Sequence, residues 1–292
     1  MTRITRAEAA RQINKGTINP VFSFEPHMNT FDRRKRILEN IARRKSMLVS
    51  FSGGVDSGLL AVLAREAIGD RSRCIFLDSP VVPREALDDA RRIAKKYNLD
   101  LEILPVAVME NERFTQNSAE RCYWCKRSSS TILKNKAQEL GLACIADGIN
   151  VSDQGEHRPG LTASDEEGIV HPFLEEGYTK EDIRETAKSM GLSFWDKPSA
   201  ACLSSRIPYG DPIIGEKLMM AEKAEAFLHK QGFRQVRVRV HGRVARIEVP
   251  KEEMHTLLDM HTAVASALRT YGFSYVTLDL EGYRSGSMDE VL

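Results

Sequence analysis

The sequence of 292 residues has no apolar run approaching the ~18 residues that cross a bilayer, so a membrane-spanning helix is not expected. It also has almost no net charge: 42 Lys plus Arg stand against 41 Asp plus Glu, a balance of +1. No global field then attracts a nucleic-acid backbone or an acidic membrane, and any anion binding must be local. Cysteines are few, five in all, and the opening MTRITRAEAARQINKG is polar and basic without an apolar core. A secreted disulfide scaffold is therefore excluded, and a reducing, cytoplasmic setting is expected, where cysteines act as ligands or nucleophiles more often than as bridges. Internal repeats and low-complexity tracts are absent too. What is there is ordinary globular usage, 42% hydrophobic and 28% charged, in a length that at about 150 residues per domain makes roughly two domains.

Residues 1 to 28, with Gly16, Pro20 and Pro26, have no periodicity and read as an irregular arm. From Asn29 or Thr30 a helix is expected, since Phe31, Ile37, Leu38 and Ile41 recur at helical spacing, and SMLVSF after it reads as a buried strand. The alternation continues with a helix at SGLLAVLAREAI, strand CIFLD, helix PREALDDARRIAKKY, strand LEILPV, helix YWCKRSSSTILKNKAQEL and strand ACIAD. Such alternation predicts an α/β class with a Rossmann-like parallel sheet, covered on both faces, that binds ligands beyond the carboxyl ends of its strands. Thr179 and Asp182 form a capping pair for a last helix, DIRETAKSMGL, and this domain is expected to span 29–196. The Pro-, Gly- and Ser-bearing loop KPSAACLSSRIPYGDP opens a smaller α/β domain over 197–292. That second domain contains a helix (GEKLMMAEKAEAFLHKQ), a hairpin in QVRVRVHGRVARIEV turning at His241 and Gly242, one helical stretch (MHTLLDMHTAVASALRTY) and a strand YVTLDL.

The sharpest local signal is Ser52-Gly53-Gly54-Val55-Asp56-Ser57, between an expected strand and an expected helix. Two glycines permit a sharp turn and close approach to a ligand, while the helix start points free N–H groups at an anion. A Walker lysine is missing, as is the three-glycine spacing of a dinucleotide fingerprint. The segment resembles the PP-loop of ATP pyrophosphatases. The resemblance implies that the loop holds the pyrophosphate leaving ATP, that Asp56 binds the accompanying magnesium, and that Asp78 and Ser79 at the next strand end contact adenosine.

Cys122 and Cys125 form a Cys-x-x-Cys pair and Cys202 stands alone in the boundary loop, whereas Cys74 and Cys144 sit among apolar strand residues and read as packing thiols. A bare pair is compatible with zinc, a redox dithiol or an iron–sulfur cluster. Structural zinc wants a fourth ligand, and no histidine lies close in sequence to either segment; three thiolates on a cubane cluster would leave one iron open to an extra sulfide.

With FSGGVDS, DGINVSDQGEHRPGL, KPSAACLSSRIPYG, VRVRVHGRVARIEV and YVTLDLEGYRSGSM taken together, residues 30 to 290 resemble the LarE-type ATP-dependent sulfur transferases. The resemblance implies activation of a carboxylate of pyridinium-3,5-biscarboxylic acid mononucleotide as its AMP anhydride. A thiocarboxylate then forms for the nickel-pincer nucleotide cofactor. One branch of this family sacrifices a cysteine; another carries three cysteines that hold a [4Fe-4S] cluster, the branch that Cys122, Cys125 and Cys202 match, with Cys202 as sacrificial donor the lesser option. Lys126 is expected to steady a phosphate, Asp147 and Gly148 to border the nucleotide, and Arg158 to meet the transferring phosphoryl region. Arg206, Glu225, Arg237 and Arg239 match positions of the substrate site, and strand alternation puts Arg237 and Arg239 on one face, where two guanidiniums can converge on a phosphate. The family further implies a homo-oligomer, commonly a hexamer, and a sulfide or other sulfur donor.

Two other readings use the same motifs. A tRNA thiolase also combines a PP-loop with cluster cysteines, but would need a basic face that a balance of +1 does not announce. A non-catalytic nucleotide or iron–sulfur sensor would need the loop to bind without turnover.

Overall fold

The computed structural model describes residues 30–154, 159–198, 201–284, 286–288 and 290. The expected N-terminal arm and Arg158 lie outside the described residues.

A helix α1 (Thr30–Arg43) feeds strand β1 (Met47–Ser50), and the alternation then runs through α2 (Val55–Ile68), β2 (Ser72–Asp78), α3 (Arg84–Lys96) and β3 (Leu101–Pro105). After a short helix α4 (Glu112–Thr115) comes the long α5 (Arg121–Glu139), which carries the Cys-x-x-Cys pair, and then β4 (Cys144–Ala146). The four strands pair in parallel in the order β3-β2-β1-β4. Alternate residues of β1 serve opposite faces: Met47 and Val49 join a large core with Leu59, Leu60, Phe76 and Phe173, whereas Leu48 packs with Ile75, Leu133 and Ile145. Burial on both faces is why these strands read as continuous apolar runs. The order reverses at β1, so the crevice beyond the ends of β1 and β4 is the switch point at which such sheets bind ligands.

Three short helices complete this layer: α6 (Pro159–Glu166), α7 (Pro172–Glu175) and α8 (Lys180–Ser189). The last starts at the expected Thr179–Asp182 capping box. The others are too short to show periodicity; α4 is a single turn held by the Asn111 side chain, which accepts from Arg113 N at 3.1 Å.

The second layer has helix α9 (Gly215–Lys230) packed on strands β5 (Arg237–His241) and β6 (Val244–Glu248), then α10 (Met254–Asp259), α11 (His261–Thr270) and β7 (Tyr275–Leu278). β5 and β6 are antiparallel, and β7 joins β6 in parallel. Val236, Val238 and Val240 face Ala224, Leu228, Ile247 and Leu268 in its core.

Two expectations shift here. His241 pairs with Val244, so the hairpin turn is Gly242–Arg243, with Gly242 taking the positive φ of 58° that the first central position of a type II′ turn requires. The single helical stretch expected over 254–271 is two helices that part at Met260, whose N–H is shared between Leu257 O and Leu258 O.

A fourth apolar cluster joins the layers: Val81, Val106, Val108 and Phe114, from beyond the sheet's strand ends, meet Leu203, Ile207, Ile213 and Leu218, with Cys125 packed against them. Among the described residues no helix is long and apolar enough to cross a membrane.

Candidate active site

The loop between β1 and α2 has the geometry of an anion cradle. Gly53 adopts φ 71°, and a Cβ there would stand 3.0 Å from Ala86 O and 3.1 Å from Ala90 N, so only glycine lets the loop lie this close to α3. Gly54 precedes the first turn of α2 with no side-chain cap, leaving N–H groups of that turn directed outward with the positive end of the helix dipole. Ser52 and Ser57 brace the turn through their hydroxyls at 2.9 Å.

Asp56 is held on one side: Lys180 Nζ, from the first turn of α8, contacts its Oδ2, while Oδ1 is buried with no hydrogen-bond partner among the described residues. A buried, unsatisfied carboxylate oxygen at the mouth of an anion cradle is chemically suited to a hard cation such as magnesium, which takes oxygen ligands. Gly148, after β4, seals the other side: a Cβ there would fall 2.8 Å from Ser57 N and 2.9 Å from Asp56 C. Asp78, at the end of β2, pairs with Arg84 Nη2 at 2.7 Å, and Arg84 also donates to Ser79 O at 2.9 Å. Lys197 ties the loop from behind, donating to Gly53 O at 2.8 Å.

Asp147 is the centre of a buried network. Lys126 Nζ reaches Oδ2 at 2.8 Å, Ser164 Oγ donates to the same oxygen at 3.1 Å, and His171 Nδ1 meets Oδ1 at 2.7 Å. Burial works against the charge of Asp147, yet Lys126 and His171 overcome it and hold the carboxyl well below the usual range. Burial likewise opposes the His171 cation, but Asp147 and Asp165, the latter 3.0 Å from Nε2, raise its pKa. Lys126, expected to steady a phosphate, is thus committed to a carboxylate of the chain itself, and it links the cysteine helix to the strand end beside the PP-loop.

Cys122 and Cys125 occupy successive turns of α5, and the exposed Cys202 stands just before the 3-10 turn Leu203–Arg206. The three are within electrostatic reach: burial, then Cys202, then Cys122 push the Cys125 thiol up to about 12. Among the described residues, however, no group of three or more His, Cys, Asp or Glu is arranged to hold a metal ion. Cys202 Sγ instead lies 3.0 Å from Ser204 Oγ. Cys74 is buried in β2 and Cys144 half-buried at the start of β4.

A cavity of about 900 Å³ opens between α3, the segment 193–198 and the second layer, lined by Arg84, Lys197, Arg206, Glu225 and Arg237 among others. The four expected substrate residues divide unequally around it. Arg206 makes a bidentate pair with Glu225, both bonds 2.8 Å, and Glu225 also accepts from Val238 N at 2.9 Å. Arg237 lies on the cavity wall, its pKa lowered first by burial and then by the Arg206 cation beside it. Arg239 does not join them: its fork grips Glu248 at 3.0 and 2.7 Å and it donates to Ser205 O at 2.9 Å, in a buried network with Ser287. The alternation that puts Arg237 and Arg239 on one face of β5 therefore does not make their guanidiniums converge, because the neighbouring strand presents Glu248 to the second.

The site also includes Lys180, Lys197 and His171, which pattern reasoning did not single out. Lys180 carried one usable signal, its place directly after the N-cap Thr179; the partners of the others are set by contacts far away in sequence.

Comparison with known proteins accords with this arrangement. Residues 33–135 match the NAD synthase family. The chain is 39% identical over 247 residues to the uncharacterized protein slr1717 of Synechocystis sp., covering 84% of this chain and 92% of that protein. It is 33% identical over 245 residues to the pyridinium-3,5-bisthiocarboxylic acid mononucleotide synthase of Lactiplantibacillus plantarum, 84% of this chain and 89% of that protein. The chain belongs to the LarE-type family of PP-loop ATP-dependent sulfur transferases. A more distant similarity, 29% over 228 residues, connects this LarE-type chain to the tRNA-specific 2-thiouridylase MnmA of Clostridium botulinum, covering 65% of this chain and 63% of that protein.

Proposed function

We propose that this LarE-type enzyme uses ATP to adenylate a carboxylate of pyridinium-3,5-biscarboxylic acid mononucleotide and converts it to a thiocarboxylate for the nickel-pincer nucleotide cofactor. The observation that carries the reading is Lys197, which lines the cavity bearing the buried Arg237 and the Arg206–Glu225 pair and donates to Gly53 O of the PP-loop, where Asp56 Oδ1 is unsatisfied among the described residues. A phosphomonoester and carboxylates are what a guanidinium on a cavity wall recognises.

A carboxylate resists attack by sulfur because its leaving group would be an oxide. Attack of the substrate carboxylate on the α-phosphorus of ATP releases pyrophosphate and attaches AMP as a good leaving group. The N–H groups at the start of α2 receive the departing pyrophosphate, and Asp56, oriented by Lys180, is the residue that would hold magnesium. When bound, the metal neutralises charge on the departing group. A sulfur nucleophile then displaces AMP.

We assign entry of that sulfur to Cys122, Cys125 and Cys202, whose mutual influence on the Cys125 thiol supports their proximity. Three soft thiolates suit a [4Fe-4S] cluster, the finer form of this reading; Cys202 as a consumed donor is the other. Anaerobic reconstitution with measured iron content, together with peptide mass spectrometry after one turnover, separates them. Bound iron with intact Cys202 supports the cluster, and loss of hydrogen sulfide from the Cys202 peptide supports consumption.

The reading as a whole is tested by pyrophosphate release. Release that depends on the pyridinium mononucleotide supports it, and release stimulated by tRNA instead would assign the chain to tRNA thiolation.

A further inference from the structure

Asn117 is fully buried, 0% exposed, and holds a left-handed backbone with φ 57°. Its side-chain amide donates to three carbonyls of one distant segment: Ile207 O at 3.3 Å, Pro208 O at 2.7 Å and Asp211 O at 2.8 Å. Its main-chain oxygen accepts from Gly210 N at 3.0 Å. In the other direction Asn117 Oδ1 accepts from Arg121 Nη1. Arg121 is itself only 3% exposed, has no carboxylate partner among the described residues, and lays its guanidinium on the Tyr209 ring at 4.1 Å. A buried cation balanced by an amide oxygen and a ring face is an expensive way to fill space, and an apolar side chain would fill it at lower cost.

These residues connect the two parts of the cysteine site. Arg121 immediately precedes Cys122 at the start of α5, and Tyr209 belongs to the segment that begins at Cys202. That segment is fastened at both ends to the sheet layer, Leu203 N to Val81 O at 2.8 Å and Ile213 N to Thr115 O at 2.9 Å, and Leu203 shares an apolar cluster with Cys125. We propose that Asn117, with Arg121 and Tyr209, is a positioning clamp that sets the Cys202 loop on the Cys122–Cys125 helix and so governs sulfur transfer separately from adenylation. Among the described residues, the side-chain hydrogen bonds of Asn117 reach no residue of the PP-loop or of the ends of β2 and β4.

The clamp's role in turnover rests on the reading of the three cysteines as the sulfur site. The test uses Asn117→Gly, which tolerates the left-handed backbone while removing the amide, and Arg121→Lys, which keeps the charge but not the planar stack. In the full-length protein three quantities are compared: ATP–pyrophosphate exchange with the mononucleotide, thiocarboxylate yield, and cross-linking of Cys202 to Cys125 by a short bifunctional thiol reagent, mapped by peptide mass spectrometry. Asn117→Gly is expected to keep exchange, lose about a hundredfold in thiocarboxylate formation, as small misplacements of reacting groups do, and lose the cross-link. Arg121→Lys is expected to fall between it and the wild type. Unchanged thiocarboxylate formation, an unchanged cross-link, or a parallel loss of exchange and transfer overturns the clamp. Full thiocarboxylate formation by Cys202→Ala would instead overturn the reading of the cysteines, and the cross-link would still decide whether the clamp aligns them.

Discussion

Lys180 Nζ rests on Oδ2 of Asp56, and Oδ1 of the same carboxylate is buried without a hydrogen-bond partner among the described residues. The lysine fixes the carboxylate's orientation and leaves one oxygen available to the magnesium of the proposed reaction. Asp56→Asn keeps the shape and removes the charge. Adenylation should fall by about 10²–10³, the usual effect of removing a group that stabilises developing charge. The magnesium concentration for half-maximal exchange should rise as well. An unchanged metal requirement would contradict the role of Asp56.

Gly148 bears on the same loop from the opposite side. In Gly148→Ala the new Cβ would stand 2.8 Å from Ser57 N, so the PP-loop must shift. Exchange activity should drop about a hundredfold, because the phosphate N–H groups leave their positions. A Gly148→Ala enzyme with wild-type exchange would show that the loop adapts freely.

The two strand arginines should behave differently. Arg237→Ala removes a guanidinium from the cavity wall, and loss of one charge-assisted contact, about 1.5–3 kcal/mol, should raise the KM for the mononucleotide tenfold or more while ATP binding holds. Arg239→Ala leaves the fully buried Glu248 with less compensation, so its main effect should be on thermal stability, about 3 kcal/mol. Calorimetry and steady-state kinetics on both variants distinguish these outcomes. Equal effects of the two on KM would contradict the division.

The His171–Asp147 pair gives a pH dependence of definite sign. The folded-state pKa of His171 is raised above its ordinary 6.5, so the contribution of its cation is complete below 6.5 and is lost as pH rises through the raised value. Asp147 has the opposite sense: its contribution is present above the ordinary 3.8 and is lost as pH falls toward its depressed value. The stability difference between wild type and His171→Gln should therefore be largest near pH 5 to 6 and shrink toward pH 9, by about 1–3 kcal/mol for a buried hydrogen-bonded charge. A difference independent of pH in chemical denaturation would contradict a charged His171.

The α/β class, the parallel sheet and the PP-loop turn were legible because alternation and glycine placement are local properties, visible in SMLVSF and in Ser52 to Ser57. The partners of charged groups were not. Lys126 answers to Asp147, Arg239 to Glu248 and Lys180 to Asp56, pairings separated by 21, 9 and 124 positions. Strand alternation correctly places Arg239 on the same face as Arg237, yet the neighbouring strand decides what it meets. Asn117 gave no periodic or motif signal, since its importance lies in a left-handed backbone and in carbonyls about 90 residues away.

The most direct test of the central claim is the mass of the mononucleotide product after anaerobic incubation of the enzyme with ATP, magnesium, a sulfide source and pyridinium-3,5-biscarboxylic acid mononucleotide. The expected product has carboxylate oxygen replaced by sulfur, is formed with stoichiometric AMP and pyrophosphate, and is absent when ATP is omitted. Recovery of the unaltered dicarboxylate, with ATP consumed or not, would contradict the claim.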